Sequence, residues 1–283
     1  MIKQPYKTKM LYGAISIFFL IYSLTVLFPF LWAFLCAMKT KDEYLNDALS
    51  FPQIFSLANF AKAFRSFKVY DSDFIDMFFT SLVFTFFGTL TSVVSSYLTA
   101  YVIAKYKFAM QKFLYGLAIF IMIIPIVGSM PAMYRLVTDL GMKDDPVAIS
   151  LLYAGGFGMN FIILHGFVGG ISWSYAEAGL VDGATDFQIF IHIMTPQAKP
   201  ALVAVAITTA ISLWNDYLTP FLYLENTPTL AYGIYYFEKD IQFTYDYPVL
   251  FAGILLSAIP VFVIFTTFQK TIMENTVAGG LKG

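Results

Sequence analysis

The polar residues able to do chemistry in this chain are few, and they cluster. Asp216, in "SLWNDYLTP", is the acidic residue that falls inside an apolar run long enough to cross a bilayer. Such a carboxylate faces a cavity or a partner, and it is a functional candidate by default. Trp214, Asn215 and Tyr217 flank it. An aromatic face beside amide and carboxylate acceptors suits a carbohydrate, with its C–H patches and many hydroxyls. The competing reading has Asp216 paired locally, or sitting in an aqueous vestibule near Pro220 and Glu225. Asn160 and His165 raise the same choice in an earlier apolar run: a solute route, or polar contacts between packed helices. Catalytic constellations are missing. The chain has no G-x-x-x-x-G-K-[ST], no H-E-x-x-H and no paired cysteines. His165 and the scattered serines form no nucleophile–base pair, so neither a catalytic residue nor a metal ligand is expected.

These residues must be held by elements built for lipid. Of 283 residues, 59% are hydrophobic and only 12% charged, half the charge of an ordinary soluble domain. The formal charge of −1 leaves no basic face for nucleic acid. Cys36 is the single cysteine, which excludes an internal disulfide. The basic start "MIKQPYKTKM" precedes an apolar run too long for a signal core and without an A-x-A site, so the run is expected to stay as a membrane anchor.

Crossing the hydrocarbon takes about 20 apolar residues as helix. Stretches at 11–38, 77–103, 113–133, 148–170, 201–224 and 248–268 qualify, and none alternates as barrel strands would. The expected fold is an all-α integral membrane protein, one domain of six transmembrane helices. Pro125 and Pro131 are expected to kink the third span, and Gly155, Gly156, Gly158, Gly166, Gly169 and Gly170 to make the fourth close-packing or flexible. Both termini then share a side with the 104–112 loop and the 171–200 insert. Lys105, Lys107 and Lys112, with Lys3, Lys7 and Lys9, place that side in the cytoplasm. The tyrosine-rich, acidic loops, such as "AYGIYYFEKDIQFTYDY", face outward.

The insert is the anomaly: a long polar stretch between apolar ones. Ser174 to Glu177 reads as a capping box that starts a short helix, and Gly183 as the residue that ends it. Thr185 to Gln188 is a second box, starting a helix expected to reach about Met194, with Pro196 and Pro200 blocking continuation. Small residues Ala178, Gly179, Gly183 and Ala184 gather at the elbow, where they would let a partner backbone come close. Phe187, Phe190, Ile191 and Ile193 give the second helix an apolar stripe. Helices that rest on headgroups carry basic residues on their polar face. Here Lys199 is the first, so docking into another protein is the favoured reading.

"EAGLVDGATDFQIFIHIMTPQAKP" resembles the EAA loop of the permeases of ABC importers. Glu177, Ala178, Asp182, Gly183, Ala184, Phe187, Phe190, Ile193, Pro196 and Pro200 fall on its pattern. Gly179 stands where the third small residue is commonly Ala, a change that weakens the helix by up to about 1 kcal/mol. "LGMKDDPVAISLLYAGGFGMNFIILHGFVGGI", "WNDYLTPFLYL" and "AGGLKG" are similar to the maltose-type sugar permeases. His165 and Ser172 depart from that pattern, standing where relatives often have arginine and proline.

The resemblance implies a permease subunit of an ATP-driven sugar importer, most simply for an oligosaccharide. It would form half of the pore with a second homologous permease, in a bacterial or archaeal cell membrane. Glu177, Ala178, Gly179, Asp182, Gly183, Ala184, Phe187 and Pro196 would couple it to a dimer of ATPase subunits. An extracytoplasmic solute-binding protein would deliver the sugar to a route including Asn160, Trp214, Asn215, Asp216 and Tyr217. ATP and Mg would bind the ATPases, with no cofactor on this chain. An ion-coupled secondary transporter is the alternative. It calls for several intramembrane carboxylates or inverted repeats, which the sequence lacks.

Overall fold

A computed structural model describes residues 6–124, 128–244 and 246–280. Among them the chain is all helix, apart from one isolated bridge between Val69 and Ser72. Helices α1 (Tyr6–Ala37), α2 (Lys41–Asn46), α3 (Ala58–Ser66) and α4 (Phe74–Lys105) come first, then α5 (Gln111–Ile123), α6 (Met130–Asp139), α7 (Pro146–Ser150) and α8 (Met159–Gly170). The insert holds α9 (Ser174–Val181) and α10 (Asp186–Gln188). A π turn (Ile189–Met194) leads on into α11 (Thr195–Trp214). Helices α12 (Leu218–Tyr223), α13 (Leu230–Thr244) and α14 (Tyr247–Gly280) complete it.

Four helices among the described residues are long and apolar enough to span: Met10–Ala37, Phe74–Lys105, Asp186–Trp214 and Tyr247–Lys270. The stretches expected as the third and fourth spans hold shorter apolar helices of 13 and 12 residues. At 1.5 Å per residue these reach only about 20 Å, short of the roughly 30 Å hydrocarbon core. Pro131 does not kink a continuous span; it sits in the first turn of α6, a separate helix. There its missing N–H costs nothing, because first-turn N–H groups have no helical partner. Pro125 lies outside the described residues. The fourth stretch is broken at 154–158, between a 3-10 turn (Leu151–Tyr153) and α8. Gly156 takes φ +67 there, and a Cβ on it would lie 2.9 Å from Thr99 Oγ1 of α4. Only glycine allows both the turn and the approach.

Helix α4 is the post on which α3, α7, α8, α11 and α13 pack. Asp73 starts it with a capping box: its Oδ1 accepts from Ile75 N at 2.8 Å and Asp76 N at 3.0 Å. The lower core joins Tyr97, Tyr101 and Ile103 of α4 to Phe161 and Leu164 of α8, and to Ile189 and Met194 of the insert's π turn. An upper core gathers Phe67, Phe74, Met77, Trp214, Tyr232 and Leu250. There Phe67 and Phe237 stack at 4.3 Å. By contrast α1 is exposed along nearly its whole length up to Leu31. It is apolar on every face, as a lipid-surrounded span requires.

The segment after α1 is tethered by a buried lysine. Lys39 is 1% exposed, and its Nζ donates to Asp47 O at 2.8 Å, Ala48 O at 3.1 Å and Ser50 Oγ at 3.1 Å. Asn59 of α3 donates to Ala37 O and Lys39 O at 2.8 and 2.6 Å, satisfying carbonyls left open where α1 ends. Farther along, Asp144 takes φ 61, and its carboxylate accepts from Asn226 N and Nδ2 at 2.7 and 2.8 Å. That contact clasps the loops around residues 144 and 226 together.

Candidate functional site

The insert folds as a rigid elbow whose two faces differ. Helix α9 begins at Ser174, one residue after its cap position, Trp173. The expected capping box from Ser174 to Glu177 is therefore not formed. Ser172 Oγ instead accepts from Ser174 N at 3.3 Å, and Glu177 stays exposed on the first turn. At the other end Gly183 takes φ 82, with Ala184 N bonded to Gly179 O at 2.9 Å and Gly183 N to Leu180 O at 3.0 Å. This pair of bonds is the Schellman closure. Thr185 and Gln188 then form the expected capping box.

On its inner face the elbow buries Ala176 and Gly179. A Cβ on Gly179 would lie 2.6 Å from Ile193 Cδ1 and 3.3 Å from Ile189 Cγ1. Its smallness thus serves a contact within this chain. Ala184 is half-buried, whereas Ala178, Asp182, Gly183 and Pro196 are exposed. Phe190 and Ile193 turn inward onto the lower core. The outer face carries Val181, 88% exposed, and Phe187, 70% exposed, with Tyr175 and Leu180 beside them. The expected stripe is therefore divided between two surfaces. Large exposed apolar side chains grouped on a structured element mark a contact surface.

Lys105 and Tyr106, where α4 ends, hold the elbow to the bundle. Tyr106 OH donates to Asp186 Oδ1 at 3.3 Å. Lys105 Nζ donates to Ile171 O, and at 3.5 Å to Gly169 O. The 104–112 loop and the insert therefore share one end of the molecule, and the Asp144–Asn226 clasp lies at the other.

The prolines do not end the second helix. It runs from Asp186 to Trp214 without interruption, taking a wider turn at Ile189–Met194. Thr195 N bonds to Phe190 O, five residues back. Pro196 sits in the first turn of α11 and Pro200 inside it. A π turn inserts one residue into the helix, and it lies directly before Pro196, whose missing donor breaks the α register there.

The residues expected on a solute route fall into separate places. Trp214 is buried, donating Nε1–H to Ser257 O at 3.0 Å and packing edge-on to Phe78. It packs as a core residue of the upper cluster. Asn215 is exposed and donates to Ile211 O at 2.7 Å. Asp216 lies between α11 and α12, where Oδ1 accepts from Leu218 N at 2.9 Å and Thr219 N at 3.1 Å. It sits one residue before the cap position of α12, Tyr217, and holds the first two amides of that helix, a local pairing of the kind the competing reading named. Tyr217 stacks on Tyr235 at 4.8 Å. His165 rests against the rings of Tyr115 and Phe161.

Asn160 is placed differently. Its Nδ2 donates to Ser92 Oγ of α4 at 3.1 Å and to Thr209 Oγ1 of α11 at 3.0 Å, joining three helices. It also lines a cavity of about 210 Å³ with Ser92, Ser96, Tyr153 and the backbone of Gly155 to Gly158. Tyr153 connects this cavity to Asp216: its hydroxyl lies 2.7 Å from Oδ2 and 3.1 Å from Thr219 Oγ1. Ser92, Ser96 and Tyr153 escape a reading of the sequence. The signal available was the pair of serines one turn apart in "TSVVSSYLTA", hydroxyls on one face inside a span.

A multi-pass helical membrane protein with an end-mounted elbow and a polar cavity beside a broken helix is the architecture of a transport permease. The chain belongs to the family of binding-protein-dependent transport system inner membrane components, whose pattern it matches over residues 92–274. It is 28% identical over 273 residues to the arabinooligosaccharides transport system permease protein AraQ of Bacillus subtilis, covering 95% of each chain. To the melibiose/raffinose/stachyose import permease protein MelC of the same organism it is 28% identical over 261 residues, 90% of this chain and 91% of that one. Its fold matches a chain in the crystal structure of a bacterial ABC transporter that imports the acidic polysaccharide alginate. The TM-score is 0.78 at 23% identity, covering 95% of this chain and 99% of that one.

Proposed function

We propose that this chain is a permease subunit of an ATP-driven oligosaccharide importer, forming half of the pore with a second, homologous permease. The elbow is the observation that carries the coupling role. One face is locked into the lower core through Gly179, Ile189 and Ile193, and the other presents Val181 and Phe187 to a partner. A short helix closed at both ends moves as a unit, so a push on the exposed face reaches the bundle as a rigid-body displacement. An ATPase subunit on the cytoplasmic side is that partner, and hydrolysis with its Mg and ATP takes place there. The termini lie on the same side.

On the solute side, Asn160, Ser92, Ser96 and Tyr153 offer hydroxyls and an amide around the cavity, donors and acceptors matched to a sugar. Asn215 and Tyr217 stand exposed on either side of Asp216 in the chain. The relatives' substrates, arabinooligosaccharides, melibiose, raffinose and stachyose, support the oligosaccharide class. An external solute-binding protein would deliver the sugar to the end bearing the tyrosine-rich loops.

Reconstituting the chain with its partner permease, ATPases and binding protein tests the reading. Uptake of radiolabelled raffinose and arabinotriose into vesicles should need internal ATP and survive ionophores. Uptake that follows an ion gradient and ignores ATP sinks the proposal. Labelling of a cysteine placed at Ala178 from the cytoplasmic side only is the companion result, and labelling from outside reverses the topology.

A further inference from the structure

We propose that Tyr97 and Thr195 are positioning residues that carry movement of the elbow into the helices lining the cavity, by setting the register of the π turn at Ile189–Met194. The inference rests on the reading of the elbow as the coupling element.

A π turn holds one residue more than the α turn it replaces. Closing it, or letting it migrate, turns everything on one side by about 100° and shifts it about 1.5 Å along the axis. Its place in this helix has a reason. Pro196 has no N–H to give the carbonyl four residues back, so the α register before it lacks a bond. Thr195 settles the outcome. Its N–H and its hydroxyl both reach Phe190 O, the hydroxyl at 2.7 Å. That hydroxyl has spent its one proton, so the Tyr97 hydroxyl, 3.0 Å away, is the donor to Thr195 Oγ1. The order Tyr97 to Thr195 to Phe190 follows from valence alone.

The same turn touches both sides of the machine. Ile189 and Ile193 press on Gly179 of α9. Phe190 stacks on Tyr97 at 5.2 Å and meets Tyr101 at 4.8 Å. Tyr97 is buried, and in α4 it directly follows Ser96, which lines the cavity. A change of register under the elbow therefore reaches the cavity wall through one side chain. A uniform α-helix would offer no second register to move between.

The test is hydrogen exchange on the assembled transporter in nanodiscs, nucleotide-free and trapped with ATP and vanadate. Amides 190–195 should differ in protection between the two states, while those of 202–210 stay alike. Thr195→Val should speed exchange of 190–195 in the nucleotide-free state by about fivefold to tenfold, the scale of one intramolecular hydrogen bond. Thr195→Ser, which keeps the hydroxyl, should match the natural chain. Basal ATP hydrolysis should stay unchanged in both. Equal protection in the two nucleotide states overturns the inference, as does a valine variant that behaves like the serine one. Should Thr195→Val fail to assemble, Tyr97→Phe takes its place in the same measurement, and failure of both makes the pair merely structural, which also refutes it. Gly183→Leu separates this from the coupling role. ATPase capture by that variant defeats the coupling reading, whereas lost capture with identical valine and serine variants defeats only the register.

Discussion

Replacing Gly183 tests the elbow at its one conformationally special residue, and the structure separates two effects that a sequence reading merges. Gly183 takes φ 82, and a Cβ built on it meets nothing within 4 Å. Within this chain the substitution therefore costs backbone strain alone, about 1–2 kcal/mol for an L-residue in the left-handed region. Gly183 is exposed and its Cβ position is open, so Gly183→Ala and Gly183→Leu should melt alike when the permease is purified by itself. A cost of 1–2 kcal/mol lowers the population of the closed elbow by at most about 5–30-fold, which bounds how far strain can weaken docking. Alanine should weaken ATPase binding within that bound. Leucine, which projects from an exposed turn into whatever lies against it, should exceed the bound. Dissociation constants of the ATPase dimer from permease in nanodiscs give the comparison. If leucine weakens binding no more than alanine does, nothing outside this chain approaches the elbow, and the reasoning fails.

Three further outcomes follow from the geometry. The Asp73 carboxyl is held below its ordinary range, chiefly by the Asp76 backbone N–H and then by that of Ile75. A depressed folded-state value stabilises above the ordinary carboxylate range and is lost as pH falls through it. Acid should therefore loosen the start of α4, read as faster exchange of its first-turn amides, and Asp73→Asn should remove the pH dependence. Gly253→Ala puts a Cβ 2.2 Å from Phe67 Cζ in a stacked, fully buried ring, and overpacking of this kind costs about 1–3 kcal/mol. Thermal unfolding of the solubilised protein should show that loss, and an unchanged melt would mean the ring moves freely. Asn160→Leu removes both inter-helix bonds, each worth about 0.6 kcal/mol in a membrane. Its uptake of raffinose should fall well beyond what so small a stability change explains, while ATPase capture persists.

Helix class and the elbow were legible because their signals are local. Runs of apolar residues fix helices in lipid, Gly183 marks a left-handed turn, and the Thr185–Gln188 spacing forms its box as written. The box at Ser174 failed because a serine two residues earlier reaches the same amide. The prolines misled for a related reason: Pro196 forbids one hydrogen bond, but a helix can widen by a residue, and only the hydroxyl of Thr195 from α11 and Tyr97 from α4 reveal that it does. Gly179 reads as a docking surface in isolation, yet Ile193, fourteen residues away, fills the space beside it. Trp214 and Asp216 looked alike as neighbours in the chain. The end of α11 parts them, one into the core and one onto the first amides of α12. Ser92, Ser96 and Tyr153 gain meaning only when the break at 154–158 brings them around Asn160. Long-range packing decides such cases, and spacing along the chain does not carry it.

The tether built on Lys39 has a consequence for the segment that follows α1. Its positive end meets only uncharged oxygens, sealed from solvent, so no mobile ion competes for its place. Dilute media and brine should leave residues 40–57 in the same shape, which gives this part of the transporter a constancy that surface ion pairs could not provide.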